Sequence, residues 1–117
     1  GFYDRIGYHD YEGPSLDGNE KTRLVQSLGE HKVLILNNHG LLAAGTTLEE
    51  AFITMFRLQR ACEIQVAAQA GGTELLIPDE ETCRAAAEMV DQFLAGNDGK
   101  GVGELEFDAW VRLVDGR

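Results

Sequence analysis

The chain has 117 residues, 44% of them hydrophobic, and its 20 acidic against 10 basic side chains leave a net charge of −10. That length holds one domain or a piece of one, and the apolar content excludes a disordered chain. The acidic balance repels phosphate backbones and anionic membranes, so nucleic acid is excluded as a partner, whereas a small anionic substrate is not, because a bound cation reverses the sign locally.

The opening, GFYDRIGYHDYEG, has neither the basic nor the apolar stretch of a signal peptide, and no run anywhere approaches the eighteen apolar residues of a membrane span. Its first fifteen residues gather Phe2, Tyr3, Tyr8, His9, Asp10, Tyr11 and Glu12 without a helix cap or a clean period. Three tyrosines and a phenylalanine need something to pack against, so this reads as irregular chain entering from the middle of a domain. Over residues 16–28, Leu24, Val25 and Leu28 recur at helical spacing, and Gly29 ends the helix as a C-cap residue does.

Val33, Leu34, Ile35 and Leu36 form a continuous aliphatic run, the pattern of a strand covered on both faces. A second short strand is expected over residues 41–44, between Gly40 and Gly45. Thr47, Leu48, Glu49 and Glu50 spell a capping box, in which Thr47 takes an orphan amide and Glu50 returns the bond. The long helix behind it, to residue 70, carries Ala51, Phe52, Met55, Leu58, Cys62 and Val66 along one face, and Gly71 and Gly72 stop it.

Pro78 and the acids Asp79, Glu80 and Glu81 open a further helix with its apolar face at Ala86, Met89, Val90 and Phe93. GNDGKG, residues 96–101, is a flexible loop, and residues 105–114 make a last amphipathic piece with Phe107, Trp110 and Leu113. The order helix, strand, strand, helix, helix describes an α/β piece with too few strands to make a closed sheet. Cys62 and Cys83 are too far apart for a CxxC motif and read as buried free thiols in a reducing cytoplasm.

The end of the aliphatic strand, NNHG, is the chemically interesting point. A histidine there has a fixed backbone, and Gly40 leaves room beside it. Two readings remain open from spacing: a metal ligand, or a turn histidine bonded to local backbone. His9 and His31 are the other histidines, and no HxH or HExxH spacing joins them to His39. No Ser/His/Asp set assembles, because Ser15 falls in a loop and Ser27 on a helix, neither with a partnering base. GNDGKG lacks the preceding strand and following helix of a phosphate loop. Most carboxylates read as solvated faces; Asp10 and Glu12, set among tyrosines, read as structural acceptors of hydroxyl hydrogens.

Four ordered blocks carry a resemblance: YHDYEG, then LG, then KVLILNNHGLLAAGTTLEEAF, then ACEIQV. Over residues 6–72 the chain resembles the class II aldolase/adducin family, with HDYEG, EEAF and ACEIQV similar to the adducin head domain and to bacterial members. The resemblance implies a three-layer α/β/α fold around a mostly antiparallel sheet. It implies cytoplasmic homo-oligomers, tetrameric in catalytic members, that bind zinc or another divalent ion and act on small carbonyl substrates of the sugar phosphate type. The family's third histidine ligand lies in the NHG block, which carries the ligand role to His39, with Asn37 and Asn38 supporting it or lining the site. The family's histidine pair, acid/base carboxylate and phosphate loops lie upstream of YHDYEG, and its C-terminal tyrosine has no counterpart after Trp110. Residues 1–117 therefore resemble the C-terminal portion of such a domain with its N-terminal half absent, and this piece alone is expected to be inactive. The alternative function is a non-catalytic, adducin-like structural and oligomerisation module.

Overall fold

The computed structural model describes residues 1–13, 18–95 and 101–116. Seven elements succeed one another: β1 (Ile6–His9), α1 (Glu20–Leu28), β2 (Val33–Leu36), β3 (Gly40–Ala43), α2 (Leu48–Ala70), α3 (Glu80–Ala95) and α4 (Glu104–Val114). The sheet runs in the order β1-β2-β3. β1 pairs parallel with β2, from Ile6 opposite Val33 to His9 opposite Leu36, and β2 pairs antiparallel with β3. The described strands thus contribute one parallel and one antiparallel pairing to a sheet that the resemblance makes mostly antiparallel.

β1 is the element the sequence pattern does not announce. Ile6, Gly7, Tyr8 and His9 show little alternation, and they are a strand because β2 offers a parallel partner. A parallel pair needs a crossover, which α1 supplies. Successive strand residues face opposite ways, and β2 uses both faces. Leu34 is fully buried and its Cδ2 lies against Gly7, on the side where Ser27 of α1 approaches, while Val33 lines a cavity with Glu50 and Thr54 of α2. Helices therefore cover the sheet on two sides, in an α/β/α layering. Each such aliphatic side chain contributes roughly 1.5–3 kcal/mol on burial. Cover on both faces holds for Val33 and Leu34 and fades at Ile35 and Leu36, which are half-buried. The strand thus opens toward solvent at the end that carries Asn37, Asn38 and His39.

Helix α1 begins at Glu20; the predicted first turn from Leu16 reaches residues outside those described. Gly29 closes it as expected, its N–H donating to Val25 O at 3.0 Å. At the start of α2, Thr47 Oγ1 accepts from Glu50 N–H at 3.1 Å, half of the predicted capping box. The other half is different. The Glu50 carboxylate is buried and turns to Thr46, taking its N–H at 2.7 Å and its hydroxyl at 2.8 Å, and it also receives Lys32 Nζ.

The buried residues of α2 are Glu50, Ile53 and Leu58. Leu58 was on the predicted face and Ile53 was not; Val66 and Phe52, predicted to face inward, are exposed. Phe52 stands edge-on to Phe107 at 5.3 Å and Phe56 meets Trp110 at 5.7 Å, which is how α4 docks on α2. Gly103 precedes α4 at φ 83, with Ile53 Cγ2 only 2.5 Å from where a Cβ would sit. Of the face predicted for α3, Ala86, Met89 and Phe93 are exposed and Val90 half-buried; Ala87 is the buried residue, next to Gly1. Both cysteines are free and half-buried rather than fully buried. No described helix is long and apolar enough to cross a membrane. The predicted loop at residues 96–101 lies outside the described residues except for Gly101.

Candidate functional site

Parallel β1 and β2 end side by side, and the segment leaving one strand meets the segment leaving the other. Asn37, Asn38 and His39 form the turn into β3, closed by His39 N–H donating to Leu36 O at 3.0 Å. Asn38 sits at its centre with φ 56, a left-handed conformation that asparagine tolerates better than most residues. His39 is exposed at the tip, as the ligand reading requires and as an ordinary turn histidine would also be.

Rather than bonding the His39 ring, Asn37 ties the turn to β1. Its N–H donates to His9 O at 2.9 Å and its side-chain Nδ2 donates to Asp10 Oδ1 at 2.9 Å. Tyr11 comes next, its ring edge-on to the His39 imidazole with 6.0 Å between centroids. The Glu12 carboxylate is gripped by the Arg23 guanidinium of α1, at 2.9 Å from Nε and 2.6 Å from Nη2. Asp10 and Glu12 thus accept from an amide and a guanidinium rather than from the expected tyrosine hydroxyls.

His9, to which the sequence pattern assigns no role, is 9% exposed beneath this cluster. Its Nδ1 and Ser27 Oγ share a hydrogen bond of 2.9 Å, so Ser27 does have a base beside it, contrary to the sequence reading. The pair does not make a nucleophile: the Glu12 carboxylate stands 4.0 Å from His9 Nε2, outside hydrogen-bond reach, and among the described residues that nitrogen has no hydrogen-bond partner. No spacing in the sequence signals the pair; the parallel β1–β2 register of the fold sets His9 under α1.

The chemistry that one imidazole can do is limited. Among the described residues, no three His, Cys, Asp or Glu side chains gather as a metal site would require. His39 fits a divalent ion in donor type and exposure, as one ligand of a set. A cavity of about 620 Å³ opens at the other end of the sheet, by Arg5, Lys32, Glu50, Arg57 and Asp91. Its cations are already engaged, Arg5 with Asp91 at 2.5 Å, Lys32 with Glu50, and Arg57 with Glu106 at 3.3 Å.

Comparison with known proteins places this geometry. The family model for the class II aldolase and adducin N-terminal domain matches residues 1–66, more than half of the chain. A Pseudomonas aeruginosa protein described as an aldolase class 2 protein is 43% identical over 110 residues, covering 94% of this chain and 42% of that protein. Gamma-adducin of Rattus norvegicus is 41% identical over 120 residues, covering 94% of this chain and 17% of its own length. The crystal structure of an aldolase II superfamily protein from Pseudomonas syringae superposes with a TM-score of 0.73 at 38% identity, over 97% of this chain and 42% of that one. The chain therefore spans less than half the length of each of these relatives.

Proposed function

We propose, for a chain that belongs to the class II aldolase and adducin family, that residues 1–117 are the C-terminal portion of the family's domain. The whole protein is a divalent-metal-dependent enzyme of the aldolase or epimerase type, acting on a small carbonyl substrate of the sugar phosphate class. His39 is one ligand of its zinc or other divalent ion. The observation that carries this reading is the placement of His39: an exposed imidazole on a turn whose neighbour Asn37 is bonded twice to the end of β1. A ligand must be held still and left uncovered, and both conditions are met here.

A bound divalent ion would supply Lewis acidity toward the substrate's carbonyl oxygen. The part played by this chain's own residues is narrower. His39 presents an imidazole nitrogen whose lone pair would be the donor to the ion. Asn37 and Asp10 hold the turn in place, and the Tyr11 ring limits how the imidazole swings. The remaining donors and the acid/base group come from parts of the domain outside residues 1–117, so this segment alone is inactive. In the same reading the whole protein is a cytoplasmic homo-oligomer.

One observation favours a second reading. Identity to gamma-adducin, 41%, nearly equals that to the aldolase class 2 protein, 43%. A non-catalytic structural and oligomerisation module would keep the same turn without using it. The experiment that separates them is metal analysis of the full-length protein beside its His39→Ala variant. The enzymatic reading expects stoichiometric divalent metal in the wild type and its loss in the variant. Metal-free wild-type protein would leave the module.

A further inference from the structure

We infer that His9 is a positioning residue for the turn that carries His39, and that residues 9–12 are a brace between α1 and that turn. His9 ends β1 with its main chain and its side chain engaged in different directions. Its carbonyl accepts from Asn37 N–H at 2.9 Å, at the first residue of the turn. Its ring reaches α1, where Nδ1 shares a bond of 2.9 Å with Ser27 Oγ. Fixing the ring fixes the backbone that holds Asn37.

The next three residues continue the tie. Asp10 takes the Asn37 side-chain amide, Tyr11 stands against His39, and Glu12 returns to α1 through Arg23. Arg23 and Ser27 are four apart on α1 and so share one face of it. That face grips the segment at His9 and at Glu12, and the two residues between them touch the turn. Gly7 makes the grip possible: a Cβ there would lie 2.6 Å from Ser27 O.

Packing alone does not account for an imidazole at position 9. A phenylalanine would fill a similar volume, whereas His9 Nε2 is buried with no hydrogen-bond partner among the described residues, which is destabilising. The Ser27 bond explains the choice. Nε2 faces the Glu12 carboxylate at 4.0 Å, and that carboxylate is itself held by Arg23 of α1. None of this needs a metal at His39, so its failure and that of the proposed function are separable.

The test is nuclear magnetic resonance on the full-length protein, comparing wild type with His9→Phe, Ser27→Ala and His9→Asn. Wild type is expected to show Tyr11–His39 ring cross-peaks and a protected Asn37 backbone amide. His9→Phe and Ser27→Ala weaken the cross-peaks and speed Asn37 exchange about tenfold, the scale of one net hydrogen bond. His9→Asn, whose amide reaches the place of Nδ1, restores both. Unchanged cross-peaks and exchange in His9→Phe overturn the inference. Failure of His9→Asn to restore them does so too, as does equally faster exchange through α2, the mark of general unfolding.

Discussion

The side-chain amide of Asn37 donates to Asp10 Oδ1 across 2.9 Å, joining the turn after β2 to the residue just past β1. Both groups are near the surface, so the bond is worth little to overall stability. Asp10→Ala is expected to cost at most about 1 kcal/mol by urea denaturation. Asp10→Asn keeps an acceptor oxygen and is expected to lose less.

His39 itself should be dispensable to the fold. Its side chain is exposed and its backbone bond to Leu36 survives substitution. His39→Ala is expected to move the unfolding free energy by no more than about 0.5 kcal/mol. A larger loss would mean the imidazole is a packing residue rather than a presented donor.

Acid should attack the structure at Glu50. Its hydrogen bond with Lys32 is the first cause that lowers its carboxyl from 4.5 to about 2, and the Thr46 N–H is the second. The folded pKa lies below the unfolded one, so the contribution is complete above about pH 4.5 and is lost as pH falls toward about 2. With the carboxylate buried and Lys32 open to solvent, the loss is on the order of 2 kcal/mol. Glu50→Gln should remove most of this acid sensitivity along with the stability, measured by denaturation between pH 2 and pH 6 (roughly the window linkage assigns).

Two glycines are predicted to be irreplaceable for different reasons. Gly7→Ala forces Cβ against Leu34 Cδ2 at 2.5 Å and Ser27 O at 2.6 Å, pushing α1 off the sheet. Gly103→Ala meets Ile53 and also puts a side chain at φ 83. Each is expected to cost about 2–4 kcal/mol in thermal or urea unfolding, the range of overpacking and backbone strain together. Gly7→Ala should in addition weaken the His9–Ser27 bond, visible as a change at the Asn37 amide.

Alone, the 117-residue chain should take zinc no more tightly than an exposed histidine does, since the described residues offer no second and third donor beside His39. Calorimetry giving sub-micromolar, stoichiometric zinc (roughly the affinity a complete site would exceed) would contradict this. The same chain leaves Leu76, Ile77 and Phe93 largely in solvent. It is therefore expected to associate, and light scattering at high concentration should detect species above the monomer.

Local pattern by itself determined a good deal. The aliphatic run of β2, the Thr47 cap, the span of α2 and the Gly29 stop were legible because each depends on neighbours within a few residues. The four ordered blocks likewise pointed to the family through residue order alone. The relationships between distant residues were decided by tertiary structure. β1 escaped notice because a four-residue strand with Gly7 and His9 in it has no period of its own, and its parallel partner begins 24 positions beyond its end, at Val33. The face of α3 was misread because helical periodicity shows which side chains could pack together, not whether anything lies opposite them. Glu50 turned from the cap to Lys32, and His9 met Ser27, for one reason: a side chain bonds the groups that the folded chain brings near it, and proximity across 18 residues is not written in spacing.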